Sequence, residues 1–301
     1  MNIINRIKSR LQSLPTHEEV DRVARLQRVI NLENHILHDT QIGISNQRYC
    51  DRDIIVSLTS YGKRVWEVCL AIESIMQQTF LPNKIILNLD YSFQNSILPS
   101  SIQKQIDRGL EVRYCRDIRS YKKLIPTLKA HPSDVIITVD DDIIYDFNLL
   151  DRLYNSYMLY PDKIHAARTH VMTFNEDGSL KSYKDWNLRS ADCKCNRHLF
   201  FTGGGGTLYP PGSLDEEVFN ERIFTSICPT ADDVWFNAMA LKKGTEIVKV
   251  QTRNPLGEDY IEIESVQDIG LFHENMREKC LNDSQIAAVY SRYELYRLLS
   301  V

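Results

Sequence analysis

Asp134-Val-Ile-Ile-Thr-Val-Asp140-Asp141-Asp142 decides both the fold and where to look for chemistry. An unbroken run of apolar and β-branched residues reads as a strand buried on both faces, and such strands belong to parallel sheets covered by helices. The run ends on three adjacent carboxylates. These repel one another, and burial penalises their ionisation further. A hard divalent cation held through carboxylate oxygens removes that penalty. On an extended chain residues 140 and 142 point to one side. Asp140 and Asp142 are therefore expected to share a Mn²⁺ or Mg²⁺ ion while Asp141 points elsewhere. The competing reading is an exposed acidic turn that caps the next helix.

Working outward, apolar runs predict strands over 53–59, 84–90, 110–115 and 134–140. Helical spacing predicts helices over 64–78, 101–109, 122–130 and 147–160, with Pro126 tolerated in a first turn. Strands alternating with helices over about 110 residues imply a parallel sheet covered on both faces. Ligands on such sheets bind at the carboxyl ends of the strands. Neither G-x-G-x-x-G nor G-x-x-x-x-G-K-[ST] is present. The first strand ends at Thr59, Ser60 and Tyr61 with Arg64 beyond, the second ends at Asp90, and Lys122 and Lys123 precede the acidic strand. Hydroxyls, a carboxylate and cations suit a nucleotide, with positive charge for its phosphates. Lys122 and Lys123 read more readily as a solvated helix start than as phosphate ligands.

Residues 162–230 are less regular and hold Trp186 and the run from Gly203 to Gly206, followed by a helix over 232–243, a strand over 245–251 and a helix from 282. Gly204 and Gly205 read as the floor of an acceptor or sugar site, where bare backbone approaches a ligand closely, or as a loop. Asp232 and Asp233 open a helix. They read as a catalytic base with its neighbour, or as helix-start electrostatics behind a Thr230 cap. Trp186 and Trp235 can stack on sugar faces, and Trp235 on its helix also fits a core.

The 301 residues fit one large α/β domain with an appendage, and a net charge of −4 argues against a dedicated nucleic-acid binder. Seven scattered cysteines point to a reducing, cytoplasmic setting. Cys193-Lys194-Cys195 with His198 lacks the second ligand pair of a zinc knuckle. Neither a signal peptide nor a membrane span is apparent. Residues 1–40 read as two helices separated by Pro15. The first sets Ile3, Ile4, Ile7, Leu11 and Leu14 at helical spacing among Arg6, Lys8 and Arg10. It can lie peripherally on the anionic inner membrane face, pack on the main domain, or mediate a homo-oligomer.

Five motifs in order, Ile54-Ile-Val-Ser-Leu-Thr-Ser-Tyr61, Ile72-Glu-Ser-Ile-Met-Gln-Gln-Thr79, Tyr121-Lys-Lys-Leu-Ile-Pro126, Val139-Asp-Asp-Asp-Ile-Ile-Tyr145 and Ala231-Asp-Asp-Val-Trp-Phe236, make the chain resemble the family-two-like bacterial glycosyltransferases of the GT-A fold. The resemblance implies a GT-A type α/β domain over 51–281, a central mostly parallel sheet flanked by helices, an N-terminal helical arm over 1–50 and a C-terminal helix over 282–301. It implies a nucleotide-diphosphate-sugar donor, a UDP-sugar above others, and a glycan or lipid-linked glycan acceptor in surface-polysaccharide synthesis. By similarity Thr59, Tyr61 and Asp90 line the nucleoside pocket, with Arg64, Lys122, Lys123, Asp140 and Asp141 also on the donor. Asp142 is then the direct metal ligand beside Asp140, His273 sits on the metal or diphosphate, and Asp233 is the base for a single inverting displacement. Asp90 is followed by Tyr-Ser-Phe where the commonest family pattern has Asp-Asp-Gly-Ser. Two rivals stay open. A sugar nucleotidyltransferase needs a Gly-rich basic loop after the first strand, and Ser60-Tyr-Gly-Lys-Arg64 holds one glycine. The other rival is a non-catalytic nucleotide- or glycan-binding protein on the same scaffold.

Overall fold

The first strand, β1 (Ile54–Thr59), lies at the middle of the parallel half of the sheet because both its faces are apolar and fully buried. It pairs in parallel with β2 (Lys84–Asp90) on one side and β4 (Val135–Thr138) on the other, and β3 (Leu110–Cys115) extends the sheet beyond β2. The computed structural model describes residues 16–191, 195–196, 198–254, 257–269 and 281–299.

Among these residues the main sheet has eight strands in the order β3-β2-β1-β4-β10-β6-β11-β8, with β6 (Ile164–Ala166), β8 (Cys195–Asn196), β10 (Thr207–Tyr209) and β11 (Ile247–Lys249). β10 runs antiparallel between β4 and β6, and β11 again parallels β6. The sheet is therefore mixed but mostly parallel, and helices flank it, as the alternating pattern predicts. The chain steps outward from β1 to β3 and then restarts on the other side of β1 with β4. That reversal leaves a crevice at the carboxyl ends of β1 and β4, where α/β sheets bind ligands.

Two apolar clusters cover the two sheet faces. One packs α2 (Val68–Met76), α3 (Ser100–Asp107) and α5 (Leu149–Leu159) against β1, β2 and β4. The other packs α7 (Asp232–Lys243) and α8 (Leu281–Arg292) against the far side, so the C-terminal helix contributes Ile286, Val289 and Tyr290 to the main core. A third cluster seats the N-terminal helix α1 (His17–His38) through Leu32 and Ile36 onto Leu70, Ala71, Ile144, Ile263 and Val266. No described helix is long and apolar enough to cross a membrane.

Candidate active site

The acidic triplet lies in a tight turn, because β4 ends at Thr138. The alternation expected of an extended strand does not hold there. Asp141 and Asp142 share one guanidinium, with Arg64 Nη1 2.8 Å from Asp141 Oδ1 and Nη2 3.1 Å from Asp142 Oδ2. Asp141 also accepts from Ser60 Oγ at 2.6 Å. Asp142 additionally faces Gln267 Nε2 at 3.3 Å. Asp140 stands apart from its neighbours and meets Lys123 Nζ at 3.0 Å. Its backbone N–H donates to the Tyr145 hydroxyl at 2.8 Å, which in turn donates to the Gly204 carbonyl at 3.2 Å. Tyr145 on β5 (Ile143–Tyr145) thus ties the triplet to the glycine run.

The glycines face the charged cluster itself. Gly203 N–H donates to Asp233 Oδ1 at 3.0 Å. A Cβ on Gly203 would sit 2.5 Å from Lys123 Nζ, and one on Gly204 would sit 2.7 Å from Arg168 Nη2 and 3.1 Å from Asp140 Oδ2. A Cβ on Gly205 would meet the Arg168 backbone nitrogen at 2.9 Å. The glycines are required because charged side chains and backbone pass where Cβ atoms would be. Asp232 Oδ2 lies 2.9 Å from Lys123 Nζ but has no well-aligned hydrogen-bond donor.

Burial dominates the protonation of this cluster. It pushes Asp233 up to about 7 against the pull of Lys123, and Asp141 up to about 6 against Arg64. Burial and the neighbouring Asp140 raise Asp142. Burial works to raise Asp140 too, but Lys123, Arg168 and Arg64 together outweigh it and hold the carboxyl below the ordinary value. Burial opposes the charge on Lys123, and Asp140, Asp232 and Asp233 together reverse that and raise it well above the usual lysine range. Asp140, Asp141, Asp142, Asp232 and Asp233 face Lys123, Arg64 and Arg168. Fully ionised, the five carboxylates would exceed the three cations by two negative charges, which one Mg²⁺ or Mn²⁺ ion would balance. With Asp142 and Asp233 both pushed up and Asp232 Oδ2 short of a donor, the residues present fit a divalent cation. They are not drawn together as a finished cage. Among the described residues, the set of three such ligand atoms lying within 4.8 Å of one another is His35, Asp39 and Glu73, and Arg108 neutralises it at 2.8 Å from Glu73.

Several expectations change here. Trp235 is fully buried, with its ring edge-on to Phe224 and its indole N–H donating to the Val218 carbonyl. Trp186 is buried against Tyr183 and Phe200, with its N–H on the Lys181 carbonyl. Neither ring offers a sugar a face, so both are core residues. Lys122 is buried and paired with Asp117 at 2.5 Å and with Asp90 at 3.7 Å, and Lys123 sits among carboxylates. Both lysines are therefore spent on protein charges, neither as solvated residues nor as open phosphate ligands. Thr59 donates its hydroxyl to the Asn88 carbonyl at 2.7 Å. Asp90 caps the turn after β2 by accepting from Ser92 N–H at 2.9 Å. Tyr61, more than a third exposed, lies with its ring 5.5 Å from Arg64 Cζ. Gly204 and Gly205 back the charged cluster from behind. His273, residues 1–15 and Cys193 lie outside the described residues.

Sequence reasoning passes over Arg168. It follows the three-residue strand β6, donates from Nε to Thr202 Oγ1 at 2.7 Å and from Nη1 to Tyr260 OH at 2.6 Å, and feels the charges of Asp140 and Asp233. Its guanidinium is thus fixed by neutral oxygens, in contrast to Arg64.

No family model and no curated protein sequence matches the chain. Solved structures share its α/β fold at low identity. They include a CMP:2-keto-3-deoxy-manno-octonic acid synthetase complexed with CTP, at 10% identity and a TM-score of 0.39 over 65% of this chain and 88% of that one. A 4-diphosphocytidyl-2C-methyl-D-erythritol synthase from Anaerococcus prevotii DSM 20548 is similar at 13% identity and 0.45, over 74% and 95%. HddC from Yersinia pseudotuberculosis is similar at 11% and 0.35, over 54% and 78%. Two of these proteins are named as a synthetase and a synthase of cytidine-containing compounds. The expectation of glycosyl transfer from a UDP-sugar is corrected to this extent: these neighbours bear other names, and a likeness at these scores assigns this chain no activity.

Proposed function

We propose that the chain is a divalent-metal-dependent nucleotidyltransferase that joins a sugar or sugar phosphate to a nucleoside monophosphate taken from a nucleoside triphosphate. The observation that supports this most is the loop after β1. It holds one glycine, Gly62, at φ +52°, and it carries Arg64 into a buried pair with Asp141 and Asp142.

In this reading an oxygen of the sugar substrate attacks the α-phosphorus. The bond from that phosphorus to the bridging oxygen breaks, and pyrophosphate departs with the electron pair. Asp140 and Asp142 are the residues that would hold the ion, which when bound neutralises phosphate charge and polarises the phosphoryl group. Arg64 keeps Asp141 and Asp142 in place. Arg168, fixed by Thr202 and Tyr260, supplies positive charge where pyrophosphate leaves, a preorganised contribution that needs no rearrangement during reaction. Asp233, with its carboxyl at about 7, is matched to accept the proton of an attacking hydroxyl near neutral pH. In this reading the nucleoside lies at the carboxyl ends of β1 and β2, beside the partly exposed Tyr61.

The test is pyrophosphate release from a panel of nucleoside triphosphates. Each is paired with sugar phosphates and sugar acids, with Mg²⁺ or Mn²⁺, with EDTA, and with Asp142→Ala. Release that needs both substrates and is lost with EDTA and in the variant supports the reading. Release of a nucleoside diphosphate from a nucleotide sugar, with every triphosphate left intact, overturns it.

A further inference from the structure

Tyr145 and Tyr260 stand directly opposite each other where β12 (Tyr260–Glu262) pairs antiparallel with β5. Residues opposed in this way present their side chains on one face of the ribbon, with Cβ atoms about 4.5–5.5 Å apart. Their hydroxyls hold groups of opposite charge. Tyr145 takes the backbone N–H of Asp140 at 2.8 Å, and Tyr260 accepts from Arg168 Nη1 at 2.6 Å with its ring 5.7 Å from Arg168 Cζ. The ribbon is pinned at both ends. Asp259 accepts from Arg152 Nη1 at 2.6 Å and from the Arg253 backbone N–H at 2.6 Å, and Ile263 N–H donates to the Asp142 carbonyl at 2.8 Å. Ile263 is in turn packed in one apolar cluster with Leu32 and Ile36 of α1. The spacing of Asp140 and Arg168 is therefore set by a backbone pairing.

That spacing is kept against attraction. Asp140 and Asp233 both act on the Arg168 charge, and opposite charges away from water draw together strongly. Gly204 lies beside both groups and has no side chain to keep them apart: its missing Cβ would be 2.7 Å from Arg168 Nη2 and 3.1 Å from Asp140 Oδ2. Yet among the described residues the ion-pair partner of Asp140 is Lys123. What restrains the guanidinium is two neutral acceptors, Thr202 Oγ1 on Nε at 2.7 Å and the Tyr260 hydroxyl on Nη1. We propose that Tyr260 is a positioning residue whose hydroxyl holds the Arg168 guanidinium off Asp140, so that the carboxylate stays available to a divalent cation and the guanidinium to phosphate. Without that hydroxyl the guanidinium keeps its bond to Thr202 as a pivot, closes on Asp140 and competes there with the ion. The inference rests on the proposed assignment of Asp140 to the ion and is independent of the reaction.

Mn²⁺ binding to the full chain, read from the electron paramagnetic resonance signal of the free ion, tests it in a cycle of Tyr260→Phe, Arg168→Met and the double variant. Tyr260→Phe keeps the ring and every backbone bond of β12. It should weaken Mn²⁺ binding on the order of 10-fold, about the worth of one hydrogen bond to a charged group. Arg168→Met removes the competitor. In the Tyr260→Phe background it should restore binding to at least the wild-type level, a larger gain than the same change brings in the wild type. A merely structural tyrosine gives no such rescue, because removing Arg168 cannot repair lost packing. Unchanged Mn²⁺ affinity in Tyr260→Phe overturns the proposal, and so does a gain from Arg168→Met of equal size in both backgrounds. A wild type that binds no Mn²⁺ removes the assignment of Asp140 and the proposal with it. The cycle reads the ion alone, so a failed pyrophosphate-release test does not touch it.

Discussion

Lys123 Nζ lies 3.0 Å from Asp140 Oδ1, so a protein cation already stands among the carboxylates proposed to hold a metal. Its second ion-pair partner, Asp232, starts a different element, and the ammonium therefore cross-links the turn after β4 to the start of α7. Removing one partner of a buried charge set leaves the rest uncompensated, at a cost of about 3–5 kcal/mol. Lys123→Met keeps the bulk and removes the charge. It is expected to destabilise the protein by that amount in EDTA and by clearly less in Mg²⁺, where the ion takes over part of the neutralisation. Urea unfolding under the two conditions measures this. An equal loss in both would separate Lys123 from the metal site.

Asp233 at about 7 and Asp141 at about 6 both stand well above the ordinary 3.8. Between about pH 4 and 7 the folded protein keeps protons that the unfolded chain has released, so folding stability falls as pH rises through this window. Asp233→Asn is neutral at every pH. It should leave stability nearly unchanged near pH 4 and raise it at pH 8, while turnover drops by about 10²–10⁴-fold if Asp233 is the base. Thermal unfolding at the two pH values decides the first part. A gain of the same size at both would place the penalty elsewhere.

The long elements were legible because their patterns are long. The helix Asp232–Lys243 and the strands Lys84–Asp90 and Leu110–Cys115 occur with the bounds their periodicity predicts. β10 was not, since Thr207–Tyr209 is too short for periodicity to register, yet its reversed direction sets where the glycine run meets β4. Arg168 escaped for the same reason: it joins two strands of three residues each and carries no local signal. The acidic triplet was visible as a cluster, but its internal division depends on Arg64, seventy-seven residues away from Asp141. Burial separates a core tryptophan from a sugar-stacking one, and composition near Trp186 and Trp235 does not reveal it.

Trp235 gives that distinction an experimental form. Its ring is fully buried between Phe224 and Tyr293. Truncating an aromatic side chain in a core costs about 3–5 kcal/mol. Trp235→Phe should retain most of the packing, losing stability through the unpaired Val218 carbonyl and the smaller volume, with KM for the sugar substrate unchanged. A raised KM at unchanged stability would return Trp235 to the substrate site.

The glycines separate scaffold from chemistry most sharply. A Cβ at Gly205 meets the Arg168 backbone nitrogen at 2.9 Å and its Cβ at 2.5 Å, neither of which can swing away. Gly205→Ala should therefore destabilise by about 1–3 kcal/mol, the usual cost of overpacking. At Gly204 the obstacle is Arg168 Nη2 at 2.7 Å, the far end of a side chain that can move. Gly204→Ala should fold with almost wild-type stability but displace the guanidinium from its place beside Asp140. Because Arg168 is proposed to serve departing pyrophosphate, the loss should fall on turnover, by on the order of 10²-fold for one misplaced donor. Chemical denaturation and steady-state kinetics on the pair read the two effects separately. If Gly204→Ala keeps full turnover, Arg168 does not act on the reacting phosphates and its hydrogen bonds to Thr202 and Tyr260 are purely structural.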